Sequence, residues 1–131
     1  MNQRKIVGNN GENLACEYLE KNNYTVIDRN FLCRRGEIDI IAKDETKEEL
    51  VFIEVKTRKN YHYGNPIDSV TKIKQKHILS ATKYYLYIHK LYNIPIRFDV
   101  IEILDSYKLK INHVKNVQIK TIIIILLNSQ I

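Results

Sequence analysis

Residues 36–59 read GEIDIIAKDETKEELVFIEVKTRK, and the folding of this stretch decides how the rest of the chain is read. Two runs rich in Ile, Val and Phe, Ile38 to Ala42 and Leu50 to Val55, flank the polar segment DETKEE. That is the pattern of two strands joined by a turn. With the hairpin centre between Thr46 and Lys47, residue i faces residue 93 minus i, so Asp39 faces Glu54 and Glu37 faces Lys56. Period-2 alternation then puts these four on one face, and Ile38, Ile40 and Ala42 with Val51, Ile53 and Val55 on the other. Opposed carboxylates with Cβ atoms about 5 Å apart repel by roughly 3 kcal/mol at an effective dielectric near 20. Protonation of one acid, the Lys56 ammonium or a divalent cation would offset this, and an all-oxygen donor set suits Mg²⁺ or Mn²⁺. The alternative is a salt-bridged sheet face in which Glu37, Asp39, Glu54, Lys56 and Lys43 neutralise one another, or a one-residue bulge that separates the acids. The residues alone leave both open.

Composition sets the frame for this hairpin. At 131 residues and 15.5 kDa, with 44% hydrophobic and 27% charged residues, the chain fits a single globular domain with an apolar core. The net charge is +6 with a pI near 9.3, and it is unevenly spread: residues 36–54 sum to −5 and residues 55–97 to +8. A basic half following an acidic hairpin favours a polyanionic partner. Cys16 and Cys33 form no CxxC motif, which disfavours a zinc site or disulfide framework and fits a reducing, cytoplasmic setting. No secretory signal pattern opens the chain. The apolar run Ile122 to Leu127 falls well short of the roughly 20 residues of a membrane helix, so no membrane partner is expected and the run reads as a terminal strand or sticky tail.

Along the chain, a helix is expected from Asn9 or Asn10, which can cap, to Asn22 and Asn23, with Leu14, Ala15, Tyr18 and Leu19 as its apolar stripe and Glu12 at the rim of the core. Thr25 to Phe31 reads as a strand, followed by a basic turn and the hairpin. RKNYHYGNP is a loop. Thr71 to Leu91 carries the longest helical pattern, its apolar positions being Ile73, His77, Ala81, Tyr84, Ile88 and Leu91. IRFDVIEIL and KLKINHV read as two more strands. The order helix, three strands, helix, two strands implies an α/β or α+β sheet covered by helices. One domain over residues 1–117, with a tail over 118–131, accounts for the chain.

Arg58, Lys59, Tyr61, His62 and Tyr63 follow the second hairpin strand, combining charge with flat rings that suit phosphates and unpaired bases. A solvated loop with partly packed tyrosines is the competing reading. Lys72, Lys74 and Lys76 open the long helix; Lys also serves simply as a soluble helix former, but the large local charge excess favours phosphate contact. Tyr84, Tyr85 and Tyr87 read mostly as core or rim residues, His77 as a packed helix residue, Asp99 as a salt-bridge partner, and the two cysteines as small packing residues.

An Asp on one strand, then Glu54-Val55-Lys56 on the next, with Glu12 on a preceding helix, resembles the PD-(D/E)xK nucleases of the restriction-endonuclease-like superfamily, which include archaeal Holliday-junction resolvases. More closely, the chain is similar to the YraN family of small endonuclease-like proteins. The elements that carry this are GxxGE at Gly8 to Glu12, RxGEID at Arg34 to Asp39, VFIEVKTR at Val51 to Arg58, Tyr63-Gly64 with Pro66, the Lys-rich helix start, and RFDV at Arg97 to Val100. Together they span about residues 5 to 117. Two departures stand out: Ile38 takes the place of the proline in the superfamily motif, and the chain continues past Asn116.

The resemblance implies a restriction-endonuclease-like fold, with a central mixed sheet of about five strands flanked by helices. It also implies Mg²⁺ or Mn²⁺ on Asp39 and Glu54, with Glu12 as a further ligand directly or through water and the Val55 carbonyl as another, Lys56 beside the scissile phosphate, and Gln75 as an accessory residue, since related nucleases present Gln or Lys from that helix. The expected activity is hydrolysis of DNA phosphodiesters, in branched or damaged DNA, with a homodimer to make two cuts. The alternative is a protein that keeps the nuclease fold and binds nucleic acid or acts as a scaffold without cutting.

Overall fold

The computed structural model describes residues 3–59, 71–105 and 108–118. Its elements follow the expected order: α1 (Gln3–Lys21), β1 (Tyr24–Cys33), β2 (Gly36–Asp44), β3 (Glu49–Arg58), α2 (Lys72–Ile88), β4 (Ile96–Asp105) and β5 (Leu109–Val114). The five strands form one sheet in the order β1-β2-β3-β4-β5. β1, β2 and β3 run as an antiparallel meander, β3 and β4 are parallel, and β5 returns antiparallel to β4. A parallel pair needs a crossover rather than a hairpin, and α2 supplies it. This is an α+β architecture with a mixed sheet, consistent with a restriction-endonuclease-like fold. No helix among the described residues is long and apolar enough to cross a membrane.

Strand alternation sorts the side chains into two layers. Val51, Ile53, Ile40, Ala42, Ile101 and Ile103 pack with Ala15, Cys16 and Leu19 of α1. Phe52, Ile41, Phe98 and Val100 pack with Ile78, Leu79, Ala81 and Tyr85 of α2 on the opposite face. The central strands are covered on both sides, which explains their near-continuous apolar character.

Three expectations about local structure are corrected. First, α1 begins at Gln3, ahead of the Asn9–Asn10 pair. Gly11 is buried within α1, where an added Cβ would lie 2.5 Å from Thr57 Oγ1, so this glycine serves the close approach of α1 to β3 rather than a helix boundary. Second, the buried face of α2 is Ile78, Leu79, Ala81, Thr82 and Tyr85, whereas Ile73, His77, Tyr84 and Ile88 are exposed. The 73-77-81-84-88 spacing follows the rim of the helix, and the larger packed volume lies one position further round. Third, Ile38 packs on the α2 face while Ile40 packs on the α1 face. Their partners in β1 show the same switch: Arg29, opposite Ile40, reaches Asn13 of α1, and Phe31, opposite Ile38, stacks on Tyr84 of α2. Between them Asn30 takes φ 51°, a left-handed conformation that breaks the two-residue period.

The β1–β2 turn is pressed against α2 at Gly36. A Cβ there would meet the His77 carbonyl oxygen at 2.4 Å, and backbone cannot swing aside as a side chain can. Gly36→Ala is therefore expected to lower stability by about 1–3 kcal/mol, read as a drop in melting temperature. An unchanged melting temperature would show that the turn is free to move away from α2.

Below the acidic hairpin end lies a buried polar network. Arg97 Nη1 donates to Asp44 Oδ2 at 2.9 Å and Glu49 Oε1 at 3.1 Å, Nε and Nη2 both donate to Asp99 at 2.9 Å, and Nη2 also donates to the Tyr24 hydroxyl at 2.7 Å. Asp99 in turn is bonded to His113 Nε2 at 2.7 Å and accepts from the Asn116 N–H at 2.9 Å, while the Tyr18 hydroxyl meets His113 Nδ1 at 2.9 Å. Asp99 is a salt-bridge partner, though of Arg97 on its own strand, and the network ties α1, β1, β2, β3, β4 and β5 together around one guanidinium.

Candidate functional site

The hairpin register is the one the sequence implies: Ile40 pairs with Ile53, Ile41 with Phe52, Ala42 with Val51, Lys43 with Leu50 and Asp44 with Glu49. The paired positions run no further than Ile40, and at the next residue the Asp39 side chain takes over the bonding. Its Oδ2 accepts from the Val55 N–H at 2.8 Å, so a carboxylate stands where a strand carbonyl would. Asp39 and Glu54 remain side by side, both 8% exposed. Burial, reinforced by the Glu54 carboxylate, pushes Asp39 up to about 7, against the opposing pull of the Val55 N–H.

Two ammonium groups answer this charge. Lys56 Nζ lies 3.5 Å from Glu54 Oε1, and Lys74 Nζ is paired with the same oxygen. Lys74 comes from the first turn of α2, whose N-cap is Thr71; the Thr71 hydroxyl accepts from Lys74 N–H at 3.2 Å. Burial and the adjacent Lys74 lower the proton affinity of Lys56, with Glu54 acting the other way. For Lys74 burial also lowers it, but the bond to Glu54 and the field of Asp39 prevail and hold it above the ordinary lysine value. The first turn of α2 carries no acid, and lysines near a helix N-terminus oppose the macrodipole. The arrangement therefore costs helix stability while concentrating positive charge beside the carboxylates.

The other expected site residues are placed as follows. Glu12 does not join the pair: its Oε2 lies 3.7 Å from Arg29 Nη2. It reaches Asp39 only through its field. Among the described residues no group of three or more His, Cys, Asp or Glu side chains could hold a metal ion, so the expected convergence of three acids is replaced by a two-acid, two-lysine cluster. The cause is local, since Arg29 on β1 turns toward α1 at the Asn30 kink and draws Glu12 to itself. Arg58 is turned inward onto Glu102, at 2.9 Å and with its side chain 10% exposed, while Lys59, Lys72 and Lys76 are exposed. Gln75 lines a cavity of about 30 Å³ with Glu54, Phe52, Ile78 and Phe98, room for a single water. Tyr61, His62 and Tyr63 lie outside the described residues, as does the tail beyond Gln118. Lys74, expected with Lys72 and Lys76 to contact phosphate, instead pairs with Glu54. Thr71 is a cap signal that would have set Lys74 apart, because it places Lys74 at the third helical position.

Asp39 makes the stability of the cation-free protein depend on pH in a stated sense. Its folded value lies above the unfolded value of 3.8, so the native state holds the extra proton between the two. Unfolding free energy is therefore expected to fall as pH rises from about 3.8 to about 7, and Asp39→Asn should flatten that limb. Urea titrations across this range measure it; parallel curves for the two proteins would rule out the buried proton.

A sheet that splays to bring two acids and two lysines together defines an α+β protein with a charged site at a strand divergence. The chain belongs to the uncharacterised protein family UPF0102, whose model matches residues 11–103. It is 51% identical over 116 residues to a UPF0102 protein of Clostridium perfringens (strain 13 / Type A), covering 86% of this chain and 93% of the relative. It is 42% identical over 119 residues to one of Caldicellulosiruptor saccharolyticus, covering 88% and 98%. Among solved structures, the crystal structure of SSO0001 is similar with a TM-score of 0.44 at 14% identity, covering 98% of this chain and 60% of its own length.

Proposed function

We propose that this protein is a nuclease of the PD-(D/E)xK type that hydrolyses DNA phosphodiesters with a bound divalent cation. The observation that supports this reading above all others is the buried pairing of Asp39 with Glu54 beneath Lys56. Two adjacent buried carboxylates, with Asp39 pushed toward its protonated form, are a donor set for a hard cation. Asp39 and Glu54 would hold Mg²⁺ or Mn²⁺, the Val55 carbonyl would complete the inner donors, and Glu12 would act through water, since Arg29 holds it back. Such an ion polarises a phosphoryl oxygen and lowers the pKa of a bound water.

The remaining work falls to the chain itself. Lys56 places its ammonium where charge develops on the phosphate, the kind of fixed electrostatic aid that acts mainly in the transition state. Lys74 balances Glu54, and its ammonium would be available to the nucleic-acid backbone when Glu54 holds the ion. Asp39 holds its proton up to about 7, and since a carboxylate ligates in its deprotonated form, cation affinity would rise with pH toward that value.

The two-lysine neutralisation of Glu54 and the separation of Glu12 also favour a second reading, a nucleic-acid-binding or scaffold protein that does not cut. Purified protein incubated with supercoiled, single-stranded and four-way-junction DNA in Mg²⁺ or Mn²⁺ decides between them. Cleavage by wild type that is lost in Asp39→Asn and Glu54→Gln supports the nuclease. Equal cleavage by all three points to a contaminant and defeats it, and DNA binding without cleavage under any condition supports the scaffold.

A further inference from the structure

Beyond the acid pair, a groove opens between the β1–β2 turn and the outer face of α2. It consists of two adjoining hollows of about 600 and 630 Å³ that share Leu32, Cys33, Arg34, Arg35 and Ser80. The first is lined by Lys74, which is paired with Glu54, so one end of the groove meets the site. The second ends at Lys83, Tyr84 and Tyr87. Gly36 sets the spacing between the two walls through its contact with the His77 backbone.

Charge and ring chemistry together narrow what fits. Arg34, Arg35, Lys76 and Lys83 are exposed, and among the described residues none of them is in an ion pair. Among the described residues Glu37 is the single acid on the walls. Four uncompensated cations along a concave surface attract a polyanion. The tyrosines supply a second kind of contact. The Tyr84 ring is stacked on Phe31, with centroids 6.2 Å apart and planes 26° apart, yet remains 48% exposed. Its orientation is thus fixed in advance while one face stays open. Tyr87, one turn further along α2, is 71% exposed.

A duplex satisfies the cations but hides its base faces in its own stack. A second copy of this chain would cover the rings but would set four cations against four cations. An unpaired strand presents phosphates and open base faces at once. We infer that this groove binds a single-stranded segment of nucleic acid, the phosphates on Arg34, Arg35, Lys76 and Lys83 and the bases on Tyr84 and Tyr87, and leads it toward Glu54 and Lys56. The inference rests on the nucleic-acid reading above and adds the strand state of the ligand and its path.

The test is fluorescence anisotropy in a chelator, without divalent cation, using labelled oligothymidylate and a duplex of equal length. Wild type is expected to bind the oligothymidylate more tightly than the duplex. Joint Tyr84→Ala and Tyr87→Ala substitution should weaken oligothymidylate binding by roughly tenfold or more and leave the duplex little changed. Joint Arg34→Ala and Arg35→Ala substitution should weaken both ligands and reduce the salt dependence. All four positions are exposed, so the variants are expected to fold, which circular dichroism checks. Unchanged oligothymidylate affinity in the tyrosine variant overturns the inference. So does a wild-type dimer in light scattering that the tyrosine substitutions dissolve, which would assign the face to a second copy. Metal-dependent cleavage with unaltered strand binding overturns the groove alone, whereas tyrosine-dependent strand binding without cleavage supports the groove and overturns the nuclease.

Discussion

Arg97→Met is expected to destabilise the protein by about 3–5 kcal/mol, the cost of removing one partner from a buried ionic cluster. The guanidinium is 4% exposed and satisfies Asp44, Glu49, Asp99 and the Tyr24 hydroxyl at once. Methionine fills similar volume, so the loss is electrostatic rather than a cavity. Burial alone would raise Asp44 and Asp99, but Arg97 with the backbone N–H groups of Lys47 and Thr46 holds Asp44 low, and His113, Arg97 and the Asn116 N–H hold Asp99 low. A depressed carboxylate contributes stability that is present above its unfolded value of 3.8 and is lost as pH falls through the lower folded value. Without Arg97 both acids titrate higher, so the acid limb of unfolding should move to higher pH as well as start from a lower plateau. Urea denaturation at neutral and acid pH measures both effects. A variant within about 1 kcal/mol of wild type would mean that water takes over the role of Arg97 and that the network is ornamental.

The second large effect concerns activity. Lys56→Ala is expected to reduce DNA cleavage by about 10²–10³-fold, the usual loss when one fixed group that stabilises transition-state charge is removed. Its neighbour Lys74 touches the same Glu54 oxygen but should behave differently. If Lys74 acts as a resident counter-charge, Lys74→Ala makes Glu54 more available and tightens Mn²⁺ binding in calorimetry, whereas Lys56→Ala leaves the chemical step as the main casualty. Equal loss of cleavage with weaker Mn²⁺ binding in both variants would merge the two lysines into one role and remove the basis for separating them.

The hairpin register was legible because its turn composition and the apolar runs on each side admit one pairing that keeps both layers buried. Ile40, Ile53, Asp44 and Glu49 stand where that pairing puts them. The order of elements and the paired acids follow from it. The ion pair of Glu12 with Arg29 was not legible, because Arg29 reaches α1 beside the left-handed Asn30 of β1. A single left-handed residue inside a strand has no periodic signature, since asparagine also serves in turns and caps. Ile38 was assigned to the wrong layer for the same reason. Three tyrosines of α2 fall within four positions, and both Tyr84 and Tyr85 meet Phe31, so it is the contact with Phe52 in the core that sets the buried Tyr85 apart from the exposed Tyr84 and Tyr87.

The reversal at Asn30 reaches beyond the acid pair. β1 is an outer strand of the sheet, ten residues long and with Ile27 and Leu32 exposed. An outer strand of that length, if flat, is a template onto which another chain can add its own backbone. The register shift between Val26 and Asp28 and the left-handed Asn30 divide it into short runs with different twist. No long flat border is left for a neighbour to extend. The same distortion that turns Arg29 and Phe31 to opposite sides thus also guards the molecule against edge-to-edge aggregation.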